Sequence, residues 1–110
     1  VISQDHTCYI SGPMTGLTDL NYPAFHAMEK LLRDSFGCNV LNPARHPSGL
    51  SYDEYMSLAM IDLDRSDVIV LLDGWQNSNG AKMEFLKAYH LNLDILYQEQ
   101  IHIFIRSKQS

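Results

Sequence analysis

Residues 67–89, DVIVLLDGWQNSNGAKMEFLKAY, constrain this chain more than any other stretch. Val68, Ile69, Val70, Leu71 and Leu72 form an unbroken apolar run, the signature of a strand covered on both faces. A polar loop from Asp73 to Gly80 follows, and a helix is predicted from Ala81 to about Leu91 with Glu84 in its first turns. A strand that feeds a Gly/Ser/Asn loop opening a helix presents free N–H groups and a positive dipole end above the loop. That is a natural anion or nucleotide site. The same residues would serve an ordinary βα turn in which Ser78 and its neighbours only cap the helix.

Taken in order, the chain alternates strands and helices. Thr7–Ser11 is a short strand, followed by Gly12, Pro13, Met14, Thr15 and Gly16, a rigid turn that lets backbone approach a ligand closely. Pro23 suits a first helical turn, and Ala24, Phe25, Met28, Leu31, Leu32 and Phe36 recur at helical spacing before Gly37 ends the helix. Cys38–Leu41 reads as a second strand, stopped by Asn42-Pro43. Ser51 with Glu54 is a capping box that opens a second helix faced by Tyr52, Tyr55, Met56, Ala59 and Leu63. Leu93–Tyr97 is a fourth strand. After a polar break at 98–100, Ile101, Ile103 and Ile105 alternate with His102, Phe104 and Arg106, which predicts an edge strand, paired in a hairpin or covered by a partner.

The order β-α-β-α-β-α-β-β predicts a single α/β domain over residues 1–110, three-layered and flavodoxin-like or Rossmann-like, with a mainly parallel sheet of four to five strands. In the flavodoxin-like order the first and third strands are neighbours at a switch point, where ligands bind at the carboxyl ends. Loops 12–16 and 74–80 then face each other across one pocket.

Composition narrows the partners. Thirteen acids against eight bases give a net charge of −5, which argues against a nucleic-acid polymer as ligand but leaves a small anion open at a helix N-terminus. The five histidines include no pair at helical ligand spacing, and Cys8 and Cys38 fit no metal motif, so no metal is expected and two buried, reduced thiols are. The absence of a membrane-length apolar run and of a leader-like segment sets the expectation of a cytoplasmic protein with no membrane partner.

YISGPMTG (Tyr9 to Gly16), LNPA (Leu41 to Ala44), DVIVLLDGW (Asp67 to Trp75) and NSNGAKME (Asn77 to Glu84) resemble the DUF4406 family, common in phages and prophages. That family is similar to the nucleoside 2-deoxyribosyltransferase and deoxynucleoside 5'-monophosphate N-glycosidase superfamily. The resemblance implies that Glu84 is a nucleophile attacking C1' of a sugar and expelling its base, with Tyr9 orienting it. A bare surface acid and a buried strand tyrosine are the alternatives from the residues alone. It implies further that Gly12, Pro13, Met14 and Thr15 line sugar and phosphate and that Ser78 and Gly80 hold a 5'-phosphate. Asn42, Asp73 and Trp75 complete the candidate substrate site, and no cofactor is implied.

Two departures stand out. The enzymes carry an aspartate eight residues before the acid that opens the third strand; here that position is Ala59, with Asp62 the nearest acid and Asp73 a second substitute. Thr15 stands where the phosphate-specific enzymes have arginine. The expected function is therefore cleavage of the base–sugar bond of a nucleoside or its 5'-monophosphate, by hydrolysis or transfer. In a phage it would act in nucleotide-pool metabolism in the bacterial host cytoplasm. A non-catalytic protein that sequesters or senses a nucleotide is the alternative, favoured by Ala59. A homo-oligomer is expected, from the superfamily and from the apolar 101–105 edge.

Overall fold

Four parallel strands carry the computed structural model, which describes residues 2–109, the side chain of Gln109 apart. They are β1 (Thr7–Ser11), β2 (Asn39–Leu41), β3 (Val68–Leu71) and β4 (Asp94–Tyr97), in the order β2-β1-β3-β4. Tyr9 lies opposite Leu41 on one side and Ile69 on the other, and Ile69 opposite Ile95. Helices α1 (Tyr22–Phe36), α2 (Tyr52–Asp64), α3 (Asn79–His90) and α4 (Gln98–Gln109) flank the sheet. The result is a flavodoxin-like α/β fold with β1 and β3 adjacent at the switch point.

Side-chain alternation along the strands builds the two cores. Cys8, Ile10, Val68, Val70 and Leu72 point to one face and pack with Phe25, Met28 and Leu32 of α1 and Ile101 of α4. Tyr9, Ile69 and Leu71 point to the other and pack with Ala59 and Leu63 of α2 and Ala88 of α3. This is why the run at 68–72 has no polar member: both faces of β3 are roofed by helices. Cys8 and Cys38 are buried free thiols with their sulfurs 3.8 Å apart.

Local signals set the helix ends. Pro23 sits in the first turn of α1, and Gly37 ends it at φ 64°, a conformation that favours glycine. Ser51 and Glu54 form the reciprocal capping box of α2, each side chain accepting the other's backbone N–H. Ser78 caps α3, which begins at Asn79, two residues earlier than the spacing suggested.

The edge strand expected at 101–105 is instead part of α4, so among the described residues the sheet has four strands and no hairpin. Ile101 is fully buried and Ile105 packs on the same core, whereas Ile103 is exposed. One buried face at i and i+4 is a helical pattern, and alternation of isoleucines masked it. Gln98 and Gln100, expected as a break, accept the N–H groups of Asp73 and Tyr97 and so tie the start of α4 to the strand ends. The apolar residues offered above as a partner-facing edge are therefore partly consumed by the chain's own core.

Candidate functional site

The carboxyl ends of β1 and β3 open into a cavity of about 370 Å³, within the size range of small-molecule sites. The close approach of the two strands there requires Gly12: a Cβ at that position would lie 2.8 Å from Cβ of Leu72. The two glycine-bearing loops meet as expected from the strand order. Gly74, at φ 87°, leaves room for Pro13, whose Cγ would be 3.3 Å from a Cβ at residue 74. Gly12, Met14 and Thr15 from the first loop line the cavity with Ser78, Gly80 and Glu84 from the second loop and α3.

Glu84 is the centre of the site. It is 3% exposed, and its two oxygens accept hydrogen bonds from Tyr9 Oη at 2.8 Å and Ser11 Oγ at 2.6 Å. Tyr9 and Ser11 are two residues apart on β1, so the strand's pleat aims both at the same face, toward α3. Burial pushes the Glu84 carboxyl up to about 7, against the hydrogen bonds from Ser11 and Tyr9, which favour the anion. Burial first, and then the neighbouring Glu84 charge, hold the Tyr9 phenol well above its ordinary value, so it remains a donor. The arrangement is a desolvated carboxylate oriented by two neutral hydroxyls, poised to change protonation near neutral pH.

The opposite wall comes from residues 43–56. Asn42 starts a 3₁₀ turn, Pro43–Arg45, by accepting the Ala44 N–H, and its amide nitrogen lies within hydrogen-bonding distance of Glu29 Oε1 at 2.9 Å. Glu29 also accepts from Arg45 at 2.7 Å and Arg33 at 2.9 Å. Burial alone would raise the Glu29 carboxyl, but the bonds from Arg45, Asn42 and Arg33 outweigh it and hold the group down at about 2. Beyond this anchored turn His46 reaches the cavity, with Nε2 3.1 Å from Asp62 Oδ2 and its ring edge-on to Tyr55. His46 Nδ1 is the one buried side-chain nitrogen or oxygen, among the described residues, with no partner.

Glu29 thus supports the wall. Its depressed pKa means that its stabilisation is present above the ordinary carboxylate range, near 4.5, and is lost as pH falls toward 2. With Arg33 and Arg45 half exposed, Glu29→Gln is expected to cost about 1–2 kcal/mol at pH 7, and roughly 40% of that at pH 3. Urea unfolding at the two pH values checks this.

Several residues expected at the site lie elsewhere. Asn42 is buried behind the wall, bonded to α1 and its own turn. Trp75 stacks on Phe85 at 4.9 Å and lies 6.3 Å from Tyr97, outside the cavity lining. Its large apolar ring finds a protein partner. Asp73 is exposed, with its N–H bonded to Gln98. Pro13 supports the first loop without lining the cavity, and its carbonyl accepts from Asn21 at 3.0 Å. Asp62 is placed behind His46 and does not itself line the cavity, while Ala59 is fully buried in the core.

Residues that sequence reasoning passed over also shape the site. Ser11 could have been found, because it shares the pleat with Tyr9. His46 carries no such signal, since its own loop sets its position; nor do Leu20 and Tyr22, placed by the loop that leads into α1. That loop holds Asp19, Leu20 and Asn21 all at positive φ, between 52° and 61°, a strained backbone of the kind that collects beside binding sites.

Among the described residues, no cluster of three or more His, Cys, Asp or Glu could hold a metal, and no helix is long and apolar enough to cross a membrane. Comparison with curated proteins gives no match. The family model described as "Domain of unknown function (DUF4406)" matches residues 6–97, which include Tyr9, Ser11, both loops and Glu84, and the chain belongs to the DUF4406 family.

Proposed function

We propose that this protein cleaves the base–sugar bond of a nucleoside or nucleoside 5'-monophosphate, as a hydrolase or a deoxyribosyltransferase, with Glu84 as nucleophile. The observation that carries this reading is the buried Glu84 carboxyl, held by Tyr9 and Ser11 at a cavity of nucleoside size. A carboxylate fixed by both oxygens has little freedom to lose as it engages an oxocarbenium-like carbon. Glu84 forms a C–O bond to C1' while the C1'–N bond breaks. The bonding pair leaves on the base, which takes up a proton from solvent. Water then cleaves the glycosyl ester, releasing sugar, a proton and the Glu84 carboxylate; in transfer, a second base replaces water.

The likeness of the family to the deoxyribosyltransferase superfamily supports the same assignment, as does the meeting of the two loops at the switch point. A homo-oligomer belongs to this reading, and sedimentation as a monomer at micromolar concentration would count against it. A second reading, a nucleotide-binding protein without turnover, is favoured by Ala59 standing in the core where the enzymes carry an acid. Incubation with a panel of deoxynucleosides and their monophosphates, followed by chromatography, separates the two. Free base is expected. Thermal stabilisation by one ligand with no base released from any would instead establish the binding protein.

A further inference from the structure

We infer that the cavity selects an uncharged nucleoside over the corresponding 5'-phosphate, an inference that rests on the function proposed above and narrows its substrate class. The polar groups along the walls are hydroxyls, such as those of Thr15, Ser48 and Ser51, with the imidazole of His46 and the carboxyl of Glu84. Among the described residues, no lysine or arginine lines the cavity. The arginines of the adjoining wall are engaged away from it: Arg45 and Arg33 both bond Glu29. On α3, Lys87 pairs with Asp64, and Lys82 is exposed and outside the lining.

The start of α3 offers an anion less than its place in the fold suggests. Ser78 Oγ accepts the Ala81 N–H at 3.1 Å, and the Ser78 N–H donates to the Trp75 carbonyl at 3.1 Å. Two of the first-turn donors are thus taken within the chain. A phosphate dianion would meet hydroxyls, the remaining amides and a carboxylate that must itself be negative to react. Burial already holds Glu84 at about 7, and a second negative charge nearby would raise it further, depleting the reactive form. A neutral sugar with a free 5'-hydroxyl has no such conflict. Tyr22 and Tyr52 on the lining supply flat apolar faces for a base.

The test compares matched pairs of 2'-deoxynucleosides and 5'-monophosphates with the wild-type protein, following base release and calorimetric binding. The nucleoside is expected to lead in kcat/KM and in affinity by about tenfold or more, the scale of one unscreened like-charge encounter in a partly buried site. Thr15→Arg, at an exposed lining position, adds the missing cation and is expected to narrow or reverse that ratio. Base release that is as fast or faster from monophosphates overturns this inference and leaves the glycosidase reading intact. Preferential nucleoside binding with no base release supports the ligand class and removes the glycosidase reading. Binding of neither overturns both.

Discussion

Glu84→Gln is expected to eliminate the proposed base release, lowering kcat/KM by on the order of 10³-fold or more, and at the same time to make the protein more stable above pH 7. The first effect follows from the chemistry, since an amide cannot form the glycosyl ester. The second follows from burial. The folded-state pKa of Glu84, about 7, lies above the ordinary 4.5, so the fold favours the neutral carboxyl. Its stabilising contribution is complete below pH 4.5 and is lost as pH rises through 7, when the buried group must ionise. Holding the anion in the fold therefore costs roughly 2–3 kcal/mol at pH 8. Glutamine has the same shape, can accept from Tyr9 or Ser11, and avoids that cost. A rise in Tm of about 10 °C at pH 8, shrinking to near zero at pH 4, is expected by calorimetry. A purely structural glutamate, stabilised as an anion by its neighbours, would give the opposite sign. The variant separates a site maintained at the expense of stability from an ion pair that supports the fold.

Most of the fold could be read because its signals are local. A doubly covered strand needs an apolar run, a helix start needs Ser51 with Glu54, and a helix end needs Gly37; each is satisfied by adjacent residues. The parallel order then followed from chain connectivity, and with it the meeting of loops 12–16 and 74–80. The α4 error has the same origin in reverse. Alternating isoleucines satisfy a two-residue period and a four-residue period over so short a stretch, and only packing of Ile101 and Ile105 on the core decides between them. In the site, the placement of Tyr9 beside Glu84, implied by the family resemblance, was legible because both lie on regular elements with known facing directions. Asn42, Asp73 and Trp75 were not, because each lies at the end of an element, where a polar or aromatic side chain can turn to protein or ligand. Asn42 turned to Glu29 and Trp75 to Phe85. His46 escaped notice because its position depends on a long-range tether, the Glu29–Arg45–Asn42 network under its loop.

The same carboxyl is expected to set the pH dependence of the proposed reaction. If Glu84 attacks as the anion, kcat/KM at subsaturating nucleoside should climb tenfold per pH unit below 7 and level off above it. Between pH 5 and pH 8 the total rise is roughly 100-fold, because about 1% of the carboxyl is ionised at the lower limit and most of it at the upper. Tyr9, held well above its ordinary value by burial and by the Glu84 charge, stays protonated across this window and adds no second inflection. Two variants move the profile in a defined direction. Tyr9→Phe and Ser11→Ala each remove a hydrogen bond that favours the anion, so each should shift the inflection upward and lower the rate more at pH 6.5 than at pH 9. A loss of packing alone would reduce the rate equally at both. An inflection near 4.5, unmoved by either variant, would mean that Glu84 is solvated during turnover and that its burial plays no part in tuning the nucleophile.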